Sequence, residues 1–120
     1  MNKVYLMKDE KRKHCLFKVG FAKDLKSRVH QYTTHNPEVE CISFLQTMEK
    51  TGRELEKTFH DEIEKMGYEF ITAVIDGKKT EWFKVSYEDK FFNELNEKGL
   101  NAFKTGKNRK NCGVYIKCGE

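Results

Sequence analysis

Apolar side chains recur along the chain with the two spacings that are typical of strands and of amphipathic helices, about 2 and about 3.6 residues. Two short runs of apolar and aromatic residues, 4–7 and 16–21, predict a pair of strands. The almost wholly charged segment 8–14 lies between them. Because this segment is short, we expect the two strands to pair antiparallel as a hairpin.

A first helix is predicted over residues 24–33. Leu25, Val29 and Tyr32 fall on one face at helical spacing, and Asp24 precedes them at a capping position. The helix is expected to end before Pro37, which disfavours helical backbone at the preceding residue. An apolar stretch at residues 39–48 then predicts a third strand.

The second predicted helix begins at Thr51, because Thr51 and Glu54 form the capping-box pattern. It should run to about Met66, with Gly67 in the position that commonly ends a helix. Residues 68–75 predict a further strand.

A turn at residues 76–77 is predicted to join that strand to a partner at residues 80–85. Ser86 is expected to cap a third helix that runs to Lys98 and stops at Gly99. The order β-β-α-β-α-β-β-α predicts an α+β domain. A short last strand is indicated at residues 114–116.

The length of 120 residues is that of one domain, which we expect to span residues 1–99 and to be followed by a basic extension, residues 100–120. The net charge of +4 is weak evidence for a polyanionic partner. No apolar run approaches the roughly 18 residues of a membrane span, and the first seven residues lack the apolar core of a secretory signal. We therefore expect an intracellular, cytoplasmic protein associated with the nucleoid. The four cysteines have no C-x-x-C spacing, so neither structural zinc nor a disulfide framework is indicated.

The two first strands contain residues that suit either a structural or a chemical role. Tyr5 is either a half-buried strand tyrosine or a phenol that faces a cleft. Lys18 points away from its apolar neighbours and is either solvated or part of a site. Gly20 within a strand indicates a bulge or a close approach to the backbone.

Four further ionisable residues lie on the first two predicted helices and on the strand predicted at residues 80–85. Arg28 flanks the buried face of the first helix, either as a surface arginine or as a fork for phosphate oxygens. Glu56 and His60 are four residues apart and neighbour each other on one face of the second helix. They form either a surface pair or a carboxylate and an imidazole for a divalent ion. Glu81 precedes two aromatic residues, and the sequence alone does not separate its roles.

In order along the chain, these residues resemble the motifs of the GIY-YIG nuclease superfamily. Lys-Val-Tyr at residues 3–5 resembles the first motif at its tyrosine, and Lys-Val-Gly at residues 18–20 resembles the second at its glycine. The run 24–32, which contains Arg28, is the most specific match, and Leu-Glu at residues 55–56 follows it.

The later residues resemble the phage and fungal branch of that superfamily, since Glu56 and His60 are followed by Glu-Trp-Phe at residues 81–83. The resemblance covers about residues 3–95. It implies a central antiparallel sheet flanked by helices, one divalent metal ion, and hydrolysis of a DNA phosphodiester. Carried over by position, Tyr5 is the first motif tyrosine, Arg28 the catalytic arginine and Glu56 the metal ligand. Lys18 replaces the tyrosine of the second motif.

The resemblance implies an endonuclease in which Glu56 holds Mg²⁺ or Mn²⁺ and Arg28 braces the phosphate oxygens. Lys18 adds positive charge, and Tyr5 orients or deprotonates the attacking water. His60 is favoured as the proton relay, because it shares a helical face with Glu56. The residues expected to support the site are Gly20, His30, His35 and Glu81, and either of those two histidines is an alternative relay.

DNA is the expected partner, held by electrostatic contacts with phosphates from Lys18, Lys23, Lys26 and Arg28, and from the basic segment 104–110. Cleavage of both strands would need a homodimer or two encounters. Two other readings stay open: a non-catalytic nucleic-acid-binding module on a decayed nuclease scaffold, and a small interaction protein that shares only the element order. The last predicts that Tyr5, Arg28 and Glu56 do not converge.

Overall fold

The computed structural model of the chain describes residues 2–103 and 115–117. The basic segment 104–110, predicted to contact DNA, lies outside the described residues. Within them, no helix is both long enough and apolar enough to cross a membrane.

A single antiparallel sheet forms the centre of the fold. Its strands are β1 (Lys3–Glu10), β2 (His14–Ala22), β3 (Val39–Gln46), β4 (Phe70–Thr72), β5 (Lys79–Ser86) and β6 (Tyr115–Lys117). Their order across the sheet is β4-β5-β2-β1-β3-β6. The β1–β2 hairpin expected from the charged loop is therefore confirmed, and it occupies the middle of the sheet.

Three helices cover the sheet, in agreement with the predicted order and the α+β class. They are α1 (Leu25–His35), α2 (Glu49–Lys65) and α3 (Lys90–Lys98), and a 3₁₀ turn (Gly99–Ala102) follows. Asp24 caps α1 as predicted, accepting from the backbone amide of Ser27. Gly67 and Gly99 both have positive φ, which explains why glycine ends α2 and α3.

The predicted starts of α2 and α3 are wrong. Helix α2 begins at Glu49, ahead of Thr51, and its first residue forms ion pairs with Lys23 and Arg53. An acidic residue in the first turn stabilises a helix, and these ion pairs hold Glu49 in place, so the helix begins ahead of the proposed capping box.

Helix α3 begins three residues later than expected, because its cap is Asp89 and not Ser86. The Asp89 carboxylate accepts from the backbone amide of Phe91 at 2.8 Å. Ser86 instead ends β5, and its hydroxyl accepts from the amide of Glu88 in the turn between them.

Strand β4 is shorter than the eight residues predicted from the apolar run 68–75. Its pairing with β5 shifts register between Phe70 and Thr72, and the following residues leave the sheet. Val74 and Ile75 consequently lie fully exposed in the connection to β5.

The two faces of the sheet differ in what they bury. Alternate side chains of β1 and β2 point to one face, covered by α2 and α3, which we call the aromatic face; its core members include Val4, Leu6, Cys15, Phe17, Phe59, Phe83, Phe91, Leu95, Leu100 and Phe103. The intervening residues point to the α1 face, whose core includes Tyr5, Met7, Ala22, Leu25 and Val39.

Candidate functional site

Tyr5 and Gly20 are direct cross-strand neighbours in the β1–β2 pair. The Tyr5 ring lies against the glycine backbone, and a Cβ built on Gly20 would be 2.4 Å from the Tyr5 hydroxyl oxygen. Gly20 is therefore the residue that lets the tyrosine side chain pack flat on β2. This is the close approach that a glycine within a strand indicates.

The Tyr5 hydroxyl is buried with no hydrogen-bond partner among the residues that the structure describes. Burial raises the pKa of Tyr5, and the neighbouring Tyr32 hydroxyl raises it further. Arg28 lies close enough to oppose this shift but does not reverse it. The phenol therefore stays protonated at neutral pH. This favours orientation of a water molecule over its deprotonation.

Lys18 is buried on the α1 face, with 8% of its surface exposed, so it is not the solvated lysine that one reading expected. Its Nζ donates a hydrogen bond to the Tyr32 hydroxyl and lies 3.5 Å from Oε1 of Glu81. The ammonium group also sits 4.8 Å from the centre of the Tyr32 ring. The charge of Lys18 is thus fixed between α1 and β5.

Tyr32 is a site residue that the sequence reasoning placed only in the apolar stripe of α1. It lies one helical turn after Arg28 and meets the edge of Trp82 at a ring separation of 5.9 Å. The signal that could have found it is this spacing from Arg28, together with its hydroxyl. Tyr32 joins the arginine helix to the buried lysine.

Three potential metal ligands converge at the β5 side of the site. Glu56, His60 and Glu81 each offer one ligand atom, and these atoms lie within 4.8 Å of one another. Glu56 and His60 are one turn apart on α2, and Glu81 reaches them from β5. We call this set the acidic cluster. The two carboxylates suit a divalent ion such as Mg²⁺ or Mn²⁺, and the imidazole is a further nitrogen donor.

His60 is held by a backbone group that the sheet leaves open. The β2–β5 ladder ends at the Lys18–Trp82 pair, and the carbonyl of the next residue, Val19, accepts from His60 Nε2 at 2.7 Å. Since a carbonyl only accepts, Nε2 carries the proton in this contact, and the same nitrogen lies 3.7 Å from Oε2 of Glu81. A metal-ligating histidine is commonly oriented by such a contact.

The charges of the acidic cluster are unfavourable without a cation. Burial raises the pKa of Glu56, and the Glu81 carboxylate beside it raises that pKa further, while His60 and Lys18 oppose the shift. A divalent ion between the two carboxylates would offset this repulsion. The residues present therefore fit a metal ion.

Arg28 and the two carboxylates of the acidic cluster, Glu56 and Glu81, line one surface cleft of about 510 Å³. We call it the charged cleft; its lining includes Lys23, Arg28, Arg53, Glu56 and Glu81. Because Tyr5 lies beside Arg28, the three residues that the resemblance singles out converge, contrary to the reading of a protein with only the element order in common.

Arg53 was not singled out from the sequence. The available signal was a basic residue in the first turns of α2, one turn before Lys57. Its guanidinium lies 4.7 Å from the centre of the Phe21 ring and 3.4 Å from Glu49. Gly52 permits this packing, since a Cβ there would be 2.6 Å from Phe21. Arg53 thus adds a cation to the rim of the charged cleft.

Several predicted residues lie away from this cleft. Lys26 and His30 are exposed on α1 and are not part of its lining. His35, at the end of α1, lines a second cleft instead. His60 is the histidine that the structure brings to the acidic cluster.

No curated protein and no solved structure matches the chain. A family model does match: the T5orf172 domain aligns with residues 2–96, which include every residue of the charged cleft and the acidic cluster. The T5orf172 domain is phage-associated and of the nuclease-related class. Because the match spans most of the chain, this protein belongs to the T5orf172 domain family.

Proposed function

We propose that this protein is a metal-dependent endonuclease that hydrolyses phosphodiester bonds of DNA. The observation that carries the proposal is the convergence of Glu56, His60 and Glu81 beside Arg28 and Lys18, in a member of a nuclease-related family. Phosphodiester hydrolysis needs an activated water, positive charge around the phosphate, and stabilisation of the leaving group. Each need has a candidate group in or beside the charged cleft.

The acidic cluster would hold Mg²⁺ or Mn²⁺ through the carboxylates of Glu56 and Glu81, with a ring nitrogen of His60 as a third donor. A bound divalent ion supplies Lewis-acid polarisation of the phosphate and lowers the pKa of a coordinated water. This assignment makes Glu81 a ligand and gives His60 an orienting contact with Val19.

The positive side chains around the cluster have separate tasks. Arg28 braces the non-bridging oxygens of the phosphate with its planar fork. Burial alone would lower the pKa of Arg28, but the Tyr5 and Tyr32 hydroxyls raise it, so the guanidinium keeps its charge. Lys18, in place of the second motif tyrosine, adds a fixed positive charge, and protonated Tyr5 orients the attacking water.

DNA would be held at the rim of the charged cleft through its phosphates. Lys23 and Arg53 line that rim, and exposed Lys26 lies on the adjoining surface of α1. Such contacts carry no sequence information, so we expect loose specificity and an affinity that falls with salt.

One observation favours a second candidate, a non-catalytic DNA-binding module. The second motif tyrosine is absent, and the remaining Tyr5 has a pKa shifted away from the phenolate. A decayed site would, however, have no need to keep two carboxylates and an imidazole within ligand distance. Endonuclease activity therefore remains the stronger proposal.

The deciding experiment is cleavage of supercoiled plasmid by the purified full chain with Mg²⁺ or Mn²⁺, beside an EDTA control. We expect nicking that needs metal and that falls by about a thousandfold or more in Glu56→Gln. Glu54→Gln is the matched control, because Glu54 is exposed on the same helix, outside the charged cleft. It should cut like the parent.

The other outcomes separate the candidates. A retarded plasmid in a gel without cleavage would support the binding module and contradict the endonuclease. Neither cleavage nor retardation would contradict both. If cleavage occurs, the ratio of linear to nicked product measures whether two active sites act together, as a homodimer would.

A further inference from the structure

A second cleft, of about 310 Å³, opens on the α1 face beyond the contact between Tyr32 and Trp82. We call it the apolar cleft. Its apolar lining comes from Leu16, Tyr32, Val39, Ile71 and Trp82, and its polar lining includes Gln31, Asn36, Thr80 and Asp9. Aromatic walls with a few polar groups are typical of sites for small planar ligands.

Asp9, one of the residues that line this cleft, has an unused acceptor atom. Its side chain is only 9% exposed, and its Oδ2 accepts from Lys11 Nζ at 3.0 Å and from Asn36 Nδ2 at 2.9 Å. Its Oδ1 is buried without a hydrogen-bond partner among the described residues. Since an unpaired buried acceptor is unfavourable, Asp9 is suited to a ligand that brings an N–H donor.

The apolar cleft adjoins the catalytic residues proposed above. Gln31 lines both clefts, and Trp82 follows Glu81 directly along β5. Tyr32, which lines the apolar cleft, accepts the hydrogen bond from Lys18. A ligand in the apolar cleft would therefore belong to the same substrate whose phosphate lies in the charged cleft.

We propose that the apolar cleft binds an unpaired nucleobase of the DNA substrate, stacked on Trp82 or Tyr32 with its pairing edge toward Asp9. This deepens the proposed function and rests on it. Every base has a face that stacks on an aromatic ring, and each offers an N–H donor at its pairing edge.

The proposal also defines the class of substrate. A base within a duplex is stacked, and its pairing edge is already used by its partner, so it cannot enter the cleft without leaving the helix. DNA with a bulged or mismatched base next to the cut needs less energy to present that base. The preferred substrates are therefore locally unpaired DNA rather than uniform duplex.

The test compares three duplexes of one sequence: fully paired, with a single bulged nucleotide, and with an abasic residue at the bulge. Binding of the full chain is measured by fluorescence anisotropy in EDTA, where metal-dependent cleavage is absent. We expect the bulged duplex to bind about tenfold more tightly than the paired one. The abasic bulge should lose this gain, because it keeps the distortion without the base.

Asp9→Asn tests the role of the unused acceptor. Two donors fix the Oδ2 position, so the asparagine oxygen should occupy it and the amide nitrogen should take the place of Oδ1. A donor would then face the donor of the base, and we expect the bulge preference to fall severalfold. Asp61→Asn, exposed on α2, is the matched control and should keep the preference.

Trp82→Leu is a second variant that removes an aromatic wall, and thermal melting checks that each variant is folded. Equal binding of all three duplexes, or a preference that both variants keep, would overturn the proposal. The plasmid assay reports separately on the nuclease. A bulge preference that needs Asp9 would support the pocket even if the plasmid is never cut, and cleavage without any preference would refute the pocket alone.

Discussion

The two faces of the central sheet differ in the chemistry of what they bury. The aromatic face packs phenylalanine rings against one another, with Phe59 and Phe103 separated by 5.3 Å and Phe17 and Phe83 by 6.0 Å. The α1 face buries Lys18 and two polar atoms that have no partner among the described residues, the Tyr5 hydroxyl and Asp9 Oδ1.

This difference separates stability from function. Unpaired buried polar groups oppose folding, and a fold keeps them where a ligand can satisfy them. The aromatic face supplies the apolar burial that offsets their effect. Substitutions on the aromatic face should therefore change the free energy of unfolding, and those on the α1 face should change activity more than stability.

The largest effect is expected from Phe59→Ala on the aromatic face. Phe59 is 1% exposed, and its truncation leaves a cavity, so the free energy of unfolding should fall by about 3–5 kcal/mol. Urea unfolding followed by circular dichroism measures the change. Phe92→Ala is the control: Phe92 is only half-buried and should cost clearly less. Equal decreases in the free energy of unfolding for the two variants would mean that Phe59 is no more tightly packed than Phe92.

Tyr5→Phe should have the opposite profile. Its hydroxyl has no hydrogen-bond partner to lose among the described residues, so the free energy of unfolding should stay the same or rise slightly. If Tyr5 orients the attacking water, the cleavage rate should fall by about a hundredfold. Melting curves and plasmid nicking measure the two quantities on one preparation.

Tyr68→Phe is the matched control for that prediction. The Tyr68 hydroxyl donates to Asp89 at 2.8 Å, on the side of the sheet that carries α3. Its removal should lower the free energy of unfolding by about 1–3 kcal/mol and leave the nicking rate unchanged. If Tyr5→Phe is the more destabilising of the two, the proposed division of stability and activity between the two faces is wrong.

Gly20→Ala should produce a smaller, mixed effect. The added methyl group would lie 2.4 Å from the Tyr5 hydroxyl oxygen, so the ring must shift, at about 1–3 kcal/mol of stability and with a loss of cleavage. A double-mutant cycle checks the cause: in a Tyr5→Ala background the same substitution should cost less. Additive losses would place the clash elsewhere.

Much of the fold could be predicted from local signals. Hydrophobic spacing located the first three strands and α1, and Asp24 and Gly99 marked helix ends correctly. The starts of α2 and α3 could not be predicted, because α2 begins after Met48 without a side-chain cap and α3 has two candidate caps, Ser86 and Asp89. Contacts of Glu49 with distant Lys23, and the choice of Asp89 over Ser86, depend on tertiary structure.

The candidate site, like the fold, could be predicted from the sequence only in part. The spacing of Glu56 and His60 on α2 predicted their proximity, whereas Glu81 joins them only through the pairing of β5 with β2. The period of a strand placed Lys18 on the opposite face from Phe17 but did not reveal that this face is covered. Its burial depends on the position of α1, whose Tyr32 contacts it.

The last prediction concerns alkylation of the Cys15 thiol, and it is expected to have the smallest effect on stability and activity. The rate of alkylation measures how often the aromatic face opens to solvent. Burial raises the pKa of the Cys15 thiol to about 12. Alkylating reagents need the thiolate, so at neutral pH the reactive fraction should be about a thousandfold below that of an ordinary cysteine. Because the shift is upward, the labelling rate should keep rising by about tenfold per pH unit up to that value, and it should also rise as the protein unfolds.

The measurement uses variants that keep one cysteine each, with the other three replaced by serine, and follows iodoacetamide labelling by mass spectrometry. Cys41, half-buried on β3, provides the comparison and should label faster than Cys15. Urea should abolish the difference, since unfolding exposes both thiols. Rapid labelling of native Cys15 would show that the aromatic face opens readily, and that the α1 face is not the more accessible side of the sheet.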